Sequence, residues 1–456
     1  MLVPRRESAH FGPHMFVFTR RAMQQMLDEI APWMPERPLR DLLGRLNEAR
    51  TNRLPQMWEL AWLYALGAVL PVEHEHALPN GKPDLWFSVS DGERLVPVVA
   101  DITTLSDAAL HKANPFERLI EAVHQQASKV GIQLGGFHVA VSNLEPGNSG
   151  AKKVQLLIPN GSAFEQINRR FIAPFVRRVA TNPTALNTLN VDEPEAKFTI
   201  EYRGLNQISS GSYRVYDSAL SLENNVLFNR LAAKTSQLRG APAGAVRMLV
   251  VCDGDCALLR HGRPQEGFSA QQVAEHFLHG SQTIDLVLLV TVCEESTSNF
   301  SQRHHRYLRC GLVAAPSDPP AHLTPGVVEA VRRVFEDAVK KLPDPQMIPN
   351  NALRRNLDSE WSESMEGGYT ADGERIRVSA RAVLELLAGA MSYEQFTDIH
   401  GWTEGRFNMF KSRLASGQLF RSARIECSES GEDDDWLEFE FGPPDPAISP
   451  FRLPRR

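Results

Sequence analysis

Hydrophobic residues follow two different spacings in the first third of the chain. Over residues 55–70 they recur every three or four positions, which predicts a helix that begins near Pro55 and ends before Pro71. Three short apolar runs separated by polar, turn-rich segments then predict strands, at 72–77, 84–89 and 95–102. The third run is almost wholly apolar, which is typical of a strand buried on both faces.

Helix-like and strand-like spacings continue to alternate along the chain, which predicts an α/β protein built from several segments. A helix over 222–238 leads into the strongly apolar runs 246–252 and 284–292, which continue the first sheet. We therefore predict five segments: an N-terminal helical segment (1–52), the first half of an α/β core (53–135), an α+β insertion (136–218), the second half of the core (219–342) and a C-terminal module (350–456).

Composition narrows the class of protein. The 456 residues suggest two or three domains, and 42% hydrophobic with 23% charged residues excludes wholesale disorder. The net charge of -6 excludes a polybasic coat protein but leaves room for a local basic cleft. The five cysteines form no even framework, there is no signal-peptide core, and the apolar runs are too short for a bilayer. We expect a cytoplasmic protein without a membrane partner.

Three acidic residues lie where acids are costly. Glu59 falls on the first strong helix, Asp84 opens a strand after Gly81-Lys-Pro, and Asp101 is near the end of the apolar run. A carboxylate in such surroundings needs a partner. Asp84 and Asp101 on adjacent strands could hold Mg²⁺ together with a backbone carbonyl and waters.

The order of these elements resembles the restriction-endonuclease-like superfamily with its PD-(D/E)xK motif. That order is a helix with Glu, a strand, Pro-Asp, a strand with Asp-x-Thr, and a helix. The resemblance implies a restriction-endonuclease-like mixed sheet in which Asp84 and Asp101 bind Mg²⁺ or Mn²⁺. It also implies that Glu59 joins the metal shell or positions the attacking water. The resemblance extends over about residues 55–130 and 220–295 and does not include the insertion.

The lysine of the motif is missing, because Thr103 occupies its position. Some members of the superfamily carry a displaced lysine on a following helix. Lys129 shares a helical face with Glu121 and Gln125, and Lys234 shares one with Arg230 and Gln237. The run Leu231-Ala-Ala-Lys234-Thr-Ser-Gln237 looks more like the displaced version, so the resemblance favours Lys234 and Gln237 as the remaining catalytic residues.

Other candidate sites are weaker. His74 and His76 alternate on one predicted strand and could bind Zn²⁺, but no second ligand pair has the right spacing. His304 and His305, beside Arg303 and Arg306, could contact phosphate, and an exposed basic loop explains them equally well. No phosphate-binding loop, dinucleotide fingerprint or nucleophile elbow is visible, which argues against a motor driven by nucleotide hydrolysis.

The C-terminal module is predicted to contain three short helices and a strand pair, an order similar to a winged helix-turn-helix. In one interpretation its third helix presents Arg406, Asn408, Lys411 and Arg413 to DNA. In the other, Phe407, Phe410 and Leu414 face a core and the module packs on the nuclease domain or a partner. The strands are acidic, which favours the second interpretation.

The resemblance thus implies a Mg²⁺-dependent nuclease that cleaves nucleic acid, and in particular a DNA endonuclease of restriction or anti-phage defence. Its partners would be nucleic acid, defence-system subunits and further copies of itself. The alternative is a catalytically degraded nuclease fold that serves as a non-catalytic nucleic-acid-binding or assembly subunit, which the absent motif lysine at Thr103 favours.

Overall fold

A computed structural model of the chain divides it into two compact units. The first comprises Met1–Leu105, Leu227–Asp255 and Gln271–Arg456, and the second comprises Ser106–Val226 and Cys256–Ala270. The residues that the structure describes are 17–48, 52–79, 81–132, 135–144, 154–204, 209–260, 267–296, 304–315, 320–350, 370–372, 375–389, 391–400, 402, 408–427 and 435–445.

Helices and strands alternate along the described chain. The helices are α1 (Arg20–Ile30), α2 (Glu36–Asn47), α3 (Leu54–Gly67), α4 (Ala108–Ala113), α5 (Phe116–Lys129), α6 (Gly161–Ile167), α7 (Ala173–Thr181), α8 (Val226–Leu238), α9 (Ala257–Arg260), α10 (Ala270–Gly280), α11 (Pro325–Val339), α12 (Ala380–Leu387), α13 (Tyr393–Ile399) and α14 (Met409–Ala415). The strands are β1 (Leu85–Ser90), β2 (Leu95–Leu105), β3 (Phe137–Val141), β4 (Asn143–Leu144), β5 (Gln155–Leu156), β6 (Asn187–Glu193), β7 (Ala196–Tyr202), β8 (Ser210–Ser212), β9 (Val246–Asp253), β10 (Leu286–Ser296), β11 (His304–Ala314), β12 (Thr370–Asp372), β13 (Arg375–Ser379), β14 (Phe420–Glu426) and β15 (Trp436–Phe441).

The first unit is built on a mixed five-stranded sheet in the order β1-β2-β9-β10-β11. The two outer pairs, β1–β2 and β10–β11, are antiparallel, whereas β2, β9 and β10 run parallel. The central strands carry apolar side chains on both faces of the sheet, because both faces are covered by other parts of the protein. The predicted mixed α/β class is confirmed.

One face of this sheet packs against α3 and α11, and α1 packs on α3. Helix α3 is apolar almost all round and is buried along most of its length, as such a helix must be. The Trp62 ring meets Phe335 of α11 edge-on at 5.3 Å, and its Nε1 lies 3.3 Å from Sγ of Cys252. Nε1 of Trp58 donates to the backbone oxygen of Asp253 at 2.8 Å. These bonds anchor α3 against strand β9.

The second unit has its own core. Its sheet has the order β6-β7-β3-β8, and α5, α6 and α7 bury their apolar faces in the same cluster. A π-helical turn, Asn168–Ile172, joins α6 to α7 without a break in the helix. The predicted insertion, 136–218, lies within this unit.

The C-terminal module contains the three helices that the sequence predicts, followed by the predicted hairpin β14–β15. Two further strands extend it to a four-stranded sheet in the order β12-β13-β15-β14. Residues 375–379 form β13 before α12 begins, with Ser379 capping the helix through a bond from the amide of Ala382. The alternating pattern of β13 is too short to stand out beside the helix that follows it.

Several predicted elements are wrong in detail. Residues 72–77 are not a strand, since only a single bridge from Glu73 to Trp86 forms there. Residues 304–314 are strand β11 rather than an exposed basic loop. Its polar side chains are typical of an edge strand, where one side of the backbone has no neighbour. Pro38 lies in the first turn of α2, where proline is tolerated.

Candidate active site

Two aspartates face each other across the β1–β2 pair. Leu85 of β1 lies opposite Ala100 of β2, and continuing this register by one residue sets Asp84 opposite Asp101. Residues opposite one another on antiparallel strands share a face of the sheet. Oδ2 of Asp84 accepts a hydrogen bond from the amide of Ile102 at 2.6 Å, which fixes the Asp84 carboxyl beside strand β2.

Burial and the nearby carboxyl groups raise the pKa of Asp84 well above its usual value. Burial is the largest cause, and the neighbouring charges of Asp101 and Glu59 add to it, whereas the bond from Ile102 opposes it. Each cause except the backbone bond disfavours negative charge at this place. The site therefore has an excess of negative charge that a cation would relieve.

Helix α8 brings Lys234 to the same place. Nζ of Lys234 lies 3.0 Å from Oδ2 of Asp101, whose side chain is only 3% exposed. Apart from this ion pair, Oδ2 of Asp101 accepts no hydrogen bond from a described residue. Thr103 is two residues beyond Asp101 and shares its face of β2. An ammonium group from a distant helix thus lies on the face where the motif lysine is missing.

Gln237 lies one turn after Lys234 on α8. Its Oε1 is buried and has no hydrogen-bond partner among the described residues. Its backbone approaches Gly81, where an added Cβ would lie 3.4 Å from the backbone oxygen of Gln237. The segment that carries Asp84 therefore packs closely against the helix that carries Lys234 and Gln237.

Glu59 is held by two residues that the sequence reasoning did not connect with it. Oε1 of Glu59 lies 2.9 Å from Nη2 of Arg45 on α2 and 3.0 Å from Nε2 of His74. Burial alone would raise the pKa of Glu59, but the bonds from His74 and Arg45 outweigh burial and lower the pKa. No signal in the sequence links these positions, because Arg45 belongs to the N-terminal helices and His74 follows α3 by several residues.

The two histidines that could have formed a zinc pair contact different carboxylates. The side chain of His74 is fully buried against Glu59, and its Nδ1 has no partner among the described residues. His76 lies 2.8 Å from Glu73 through Nδ1 and stacks on Trp86 at 4.2 Å. His74 therefore belongs to the surroundings of Glu59.

The donors at this site fit a small, hard cation. Among the residues that the structure describes, no group of three or more His, Cys, Asp or Glu side chains is arranged to hold a metal. Mg²⁺ is commonly bound in proteins by one or two carboxylates, with waters completing the octahedron. Asp84 and Asp101 supply two carboxylates, and Oδ2 of Asp101 and Oε1 of Gln237 are buried oxygens without a hydrogen bond.

The remaining predicted residues lie elsewhere. Lys129 is exposed in the last turn of α5, which belongs to the second unit. Arg406 lies outside the described residues. In α14, Lys411 is exposed, while Nη1 of Arg413 bonds to Oε1 of Gln418 at 3.0 Å. Asn408 caps this helix by accepting a bond from the amide of Lys411.

The apolar side of α14 matches part of its predicted packing. Phe410 packs edge-on against Trp402 and Phe439, at 5.3 and 5.4 Å, within the core of the C-terminal module. The prediction that Leu414 also faces the core is wrong, because Leu414 is 64% exposed. Phe407 lies outside the described residues.

The charge of the hairpin is more balanced than its acidic sequence indicates. Glu438 of β15 is buried and paired with Arg377 at 2.8 Å and with Arg424 at 2.6 Å. The acidity of these strands is thus matched by arginines on the neighbouring strands.

Comparison of the chain with protein-family models, with curated proteins and with solved structures gave no match. Within the described part of the chain, no helix combines the length and the apolar character that crossing a bilayer requires.

Proposed function

We propose that this chain is a Mg²⁺-dependent nuclease that hydrolyses phosphodiester bonds at the site formed by Asp84, Asp101 and Lys234. The observation that carries the proposal is the 3.0 Å contact between Nζ of Lys234 and Oδ2 of Asp101. These residues are distant in sequence, and the resemblance predicts a lysine beside Asp101. A buried aspartate also needs an opposite charge, and here that charge comes from the helix on which the resemblance predicts the displaced lysine.

The order of elements supports the same proposal. Helix α3 with Glu59, strand β1 after Asp84, strand β2 with Asp101, and helix α8 before strand β9 follow the order of the restriction-endonuclease-like superfamily. The pairing of β1 with β2 and of β2 with β9 brings the two aspartates to one face of a mixed sheet. A restriction-endonuclease-like core is therefore part of this proposal.

The residues of the site have separate tasks in the proposed reaction. Asp84 and Asp101 would hold the metal ion, which when bound supplies a more acidic water and neutralises charge on the scissile phosphate. Lys234 would stabilise the negative charge that develops on the phosphate oxygens. Glu59, held in its charged form by Arg45 and His74, would orient the attacking water or complete the metal shell. Gln237 would contribute a hydrogen-bonding oxygen.

DNA is the proposed substrate, and restriction or anti-phage defence the proposed setting, both from the resemblance to the superfamily. The alternative of a degraded nuclease fold rests on Thr103. The ammonium group of Lys234 lies 3.0 Å from Asp101, on the face of β2 that Thr103 shares, and this contact favours an intact site.

Cleavage of four substrates tests the proposal. Supercoiled plasmid, linear duplex, single-stranded DNA and RNA would be incubated with wild type, Asp84→Asn, Asp101→Asn and the control Asp91→Asn, with Mg²⁺, Mn²⁺ or EDTA. We expect metal-dependent cleavage that falls about 100-fold or more in Asp84→Asn and Asp101→Asn and is unchanged in Asp91→Asn. Wild type that cuts none of the four substrates would favour the non-catalytic alternative.

A further inference from the structure

The second unit carries four arginines on the solvent side of one helix. We call Arg169, Arg170, Arg177 and Arg178 the arginine face. All four are exposed, and they lie on the continuous helix formed by α6, the π-helical turn 168–172 and α7. The opposite side of that helix packs into the core of the unit through Phe164, Ile172, Phe175, Val176 and Val179.

The π-helical turn aligns the arginines in two rows. Arg169 and Arg177 are eight residues apart, as are Arg170 and Arg178. Two turns of a regular α-helix take about 7.2 residues, so this spacing would leave the members of each pair offset around the axis. A π turn closes on the fifth residue and adds about one residue, which brings two turns to about 8.2 residues. The turn at 168–172 therefore places each arginine above its counterpart.

Two of the guanidinium groups are held by their own helix. The Arg170 group lies 4.7 Å from the centre of the Phe171 ring, and the Arg178 group lies 5.4 Å from that of Phe175. Nη2 of Arg178 also donates to the backbone oxygen of Thr188 at 3.1 Å. Stacking of this kind limits the freedom of the side chain before a ligand arrives.

Few acids neutralise this surface. Arg170 pairs with Glu193 at 3.1 Å, whereas Arg169 and Arg177 have no ion pair with any described residue. The second unit as a whole has 14 Lys and Arg against 12 Asp and Glu, a net charge of +2, although the complete chain carries -6. Positive charge is thus concentrated on the unit that does not contain the aspartate pair.

We propose that the arginine face binds the phosphate backbone of nucleic acid. The planar guanidinium group matches the geometry of phosphate oxygens, and two rows of such groups match a repeating polyanion. Contacts of this type set orientation and affinity without reading sequence. The inference rests on the proposed function for its choice of ligand, and it assigns to the second unit the task of holding the substrate.

Salt-dependent binding tests the inference without cleavage. Full-length protein in the Asp101→Asn background, in EDTA, would be titrated onto a fluorescent duplex and a single strand of equal length. The test variant is Arg169→Gln/Arg177→Gln. The control is Lys197→Gln/Arg203→Gln, which removes the same charge from two exposed, ion-paired cations of the same unit. We expect the arginine variant alone to weaken duplex binding by about 10-fold at 150 mM salt and to reduce the slope of log K against log salt by one to two.

Equal weakening of duplex binding in both variants, or an unchanged salt slope in the arginine variant, would overturn the inference. So would polyglutamate that displaces the duplex from the arginine face as well as unlabelled duplex does, because that result would assign the face to an acidic protein. The slope and an unchanged thermal midpoint separate a lost contact from a folding defect. If wild type cuts the duplex but the arginine variant binds it with the same affinity as the control variant, this inference is wrong and the proposed nuclease activity stands. If wild type binds the duplex through the arginine face but does not cut it, the proposed nuclease activity is wrong and this inference stands.

Discussion

Asp84 and Asp101 concentrate negative charge on one face of the central sheet. Among the described residues, Lys234 supplies the only ion pair to either carboxylate. Burial of charged groups that are incompletely paired costs free energy, and proteins accept that cost mainly at functional sites. The raised pKa of Asp84, caused by burial and by the charge of Asp101, reports this cost.

Removing the charge of Asp84 should therefore stabilise the metal-free protein. The folded state favours the protonated carboxyl, so near neutral pH the Asp84→Asn variant avoids the free-energy cost of a buried carboxylate. Its amide oxygen can still accept the hydrogen bond from the amide of Ile102. In EDTA we expect its thermal midpoint to rise by about 2 °C or more. Excess Mg²⁺ should raise the midpoint of wild type and not that of the variant.

Asp91→Asn is the matched control for this stability experiment. Bonds from the backbone amides of Arg94 and Glu93 lower the pKa of Asp91, so the folded state favours its charged form. Its substitution should leave the midpoint unchanged or lower it. A lower midpoint for Asp84→Asn in EDTA would show that its carboxylate is a structural partner rather than a strained ligand.

Lys234 and Lys129 can be separated by their effects on cleavage. Lys234→Met keeps the aliphatic stem and removes the ammonium group beside Asp101, so we expect single-turnover cleavage to fall about 100-fold or more. Lys129→Met, on the exposed end of α5, should cut like wild type. The reverse pattern in single-turnover rates would exclude the displaced-lysine assignment.

His74 should matter through the hydrogen bond that it donates to Glu59. His74→Leu leaves a buried carboxylate with Arg45 as its remaining partner, and we expect it to lower the free energy of unfolding by about 1–3 kcal/mol. His74→Gln can place an amide donor near the position of Nε2 and should restore much of the loss. Denaturant unfolding measures both, and equal losses in the two variants would mean that packing of the ring matters and the hydrogen bond does not.

At the scale of secondary structure, long apolar patterns predict elements well and short polar ones do not. Helix α3, strands β1, β2, β9 and β10, and helix α8 were predicted because burial demands a regular spacing of apolar residues over many positions. Strand β11 was missed because an edge strand can carry polar residues, and its sequence therefore looks like a loop.

The candidate site shows the same limit. The pair Asp84 and Asp101 was predictable, because an acid within an apolar run is conspicuous. The contacts of Glu59 with Arg45 and His74 were not, since they join three separate elements and depend on how α2 packs on α3. Side-chain partners set by tertiary packing leave no periodic trace in a sequence.

The C-terminal module should be sensitive to acid through His400. Burial lowers the pKa of His400 below its usual 6.5, against a smaller opposing effect of its bond to the backbone oxygen of Phe396. The folded module favours the neutral ring, so its stability is complete above about pH 6.5 and is lost as the pH falls toward the lowered pKa.

Thermal unfolding at several pH values tests this prediction. His400→Phe keeps an aromatic ring beside Trp402, on which His400 stacks at 4.7 Å, and removes the titration. We expect the midpoint of the module in wild type to fall more steeply than that of the variant below about pH 6.5. Parallel curves would contradict a role for His400.

On the scale of the whole molecule, the chain leaves the first unit at Leu105 and returns at Leu227 with the helix that carries Lys234. The aspartate pair and the lysine thus belong to one unit although a second unit is inserted between them in sequence. In our proposals the first unit performs hydrolysis and the second holds the polyanion. This separation accounts for a net negative protein with a basic surface on one unit.

The central claim is that Asp84 and Asp101 together hold a divalent cation next to Lys234. The most direct measurement is anomalous diffraction from crystals of the full chain grown with Mn²⁺. The account predicts a manganese peak on the order of 2.1 Å from carboxylate oxygens of both aspartates. Manganese bound elsewhere, with no peak between Asp84 and Asp101, would contradict it.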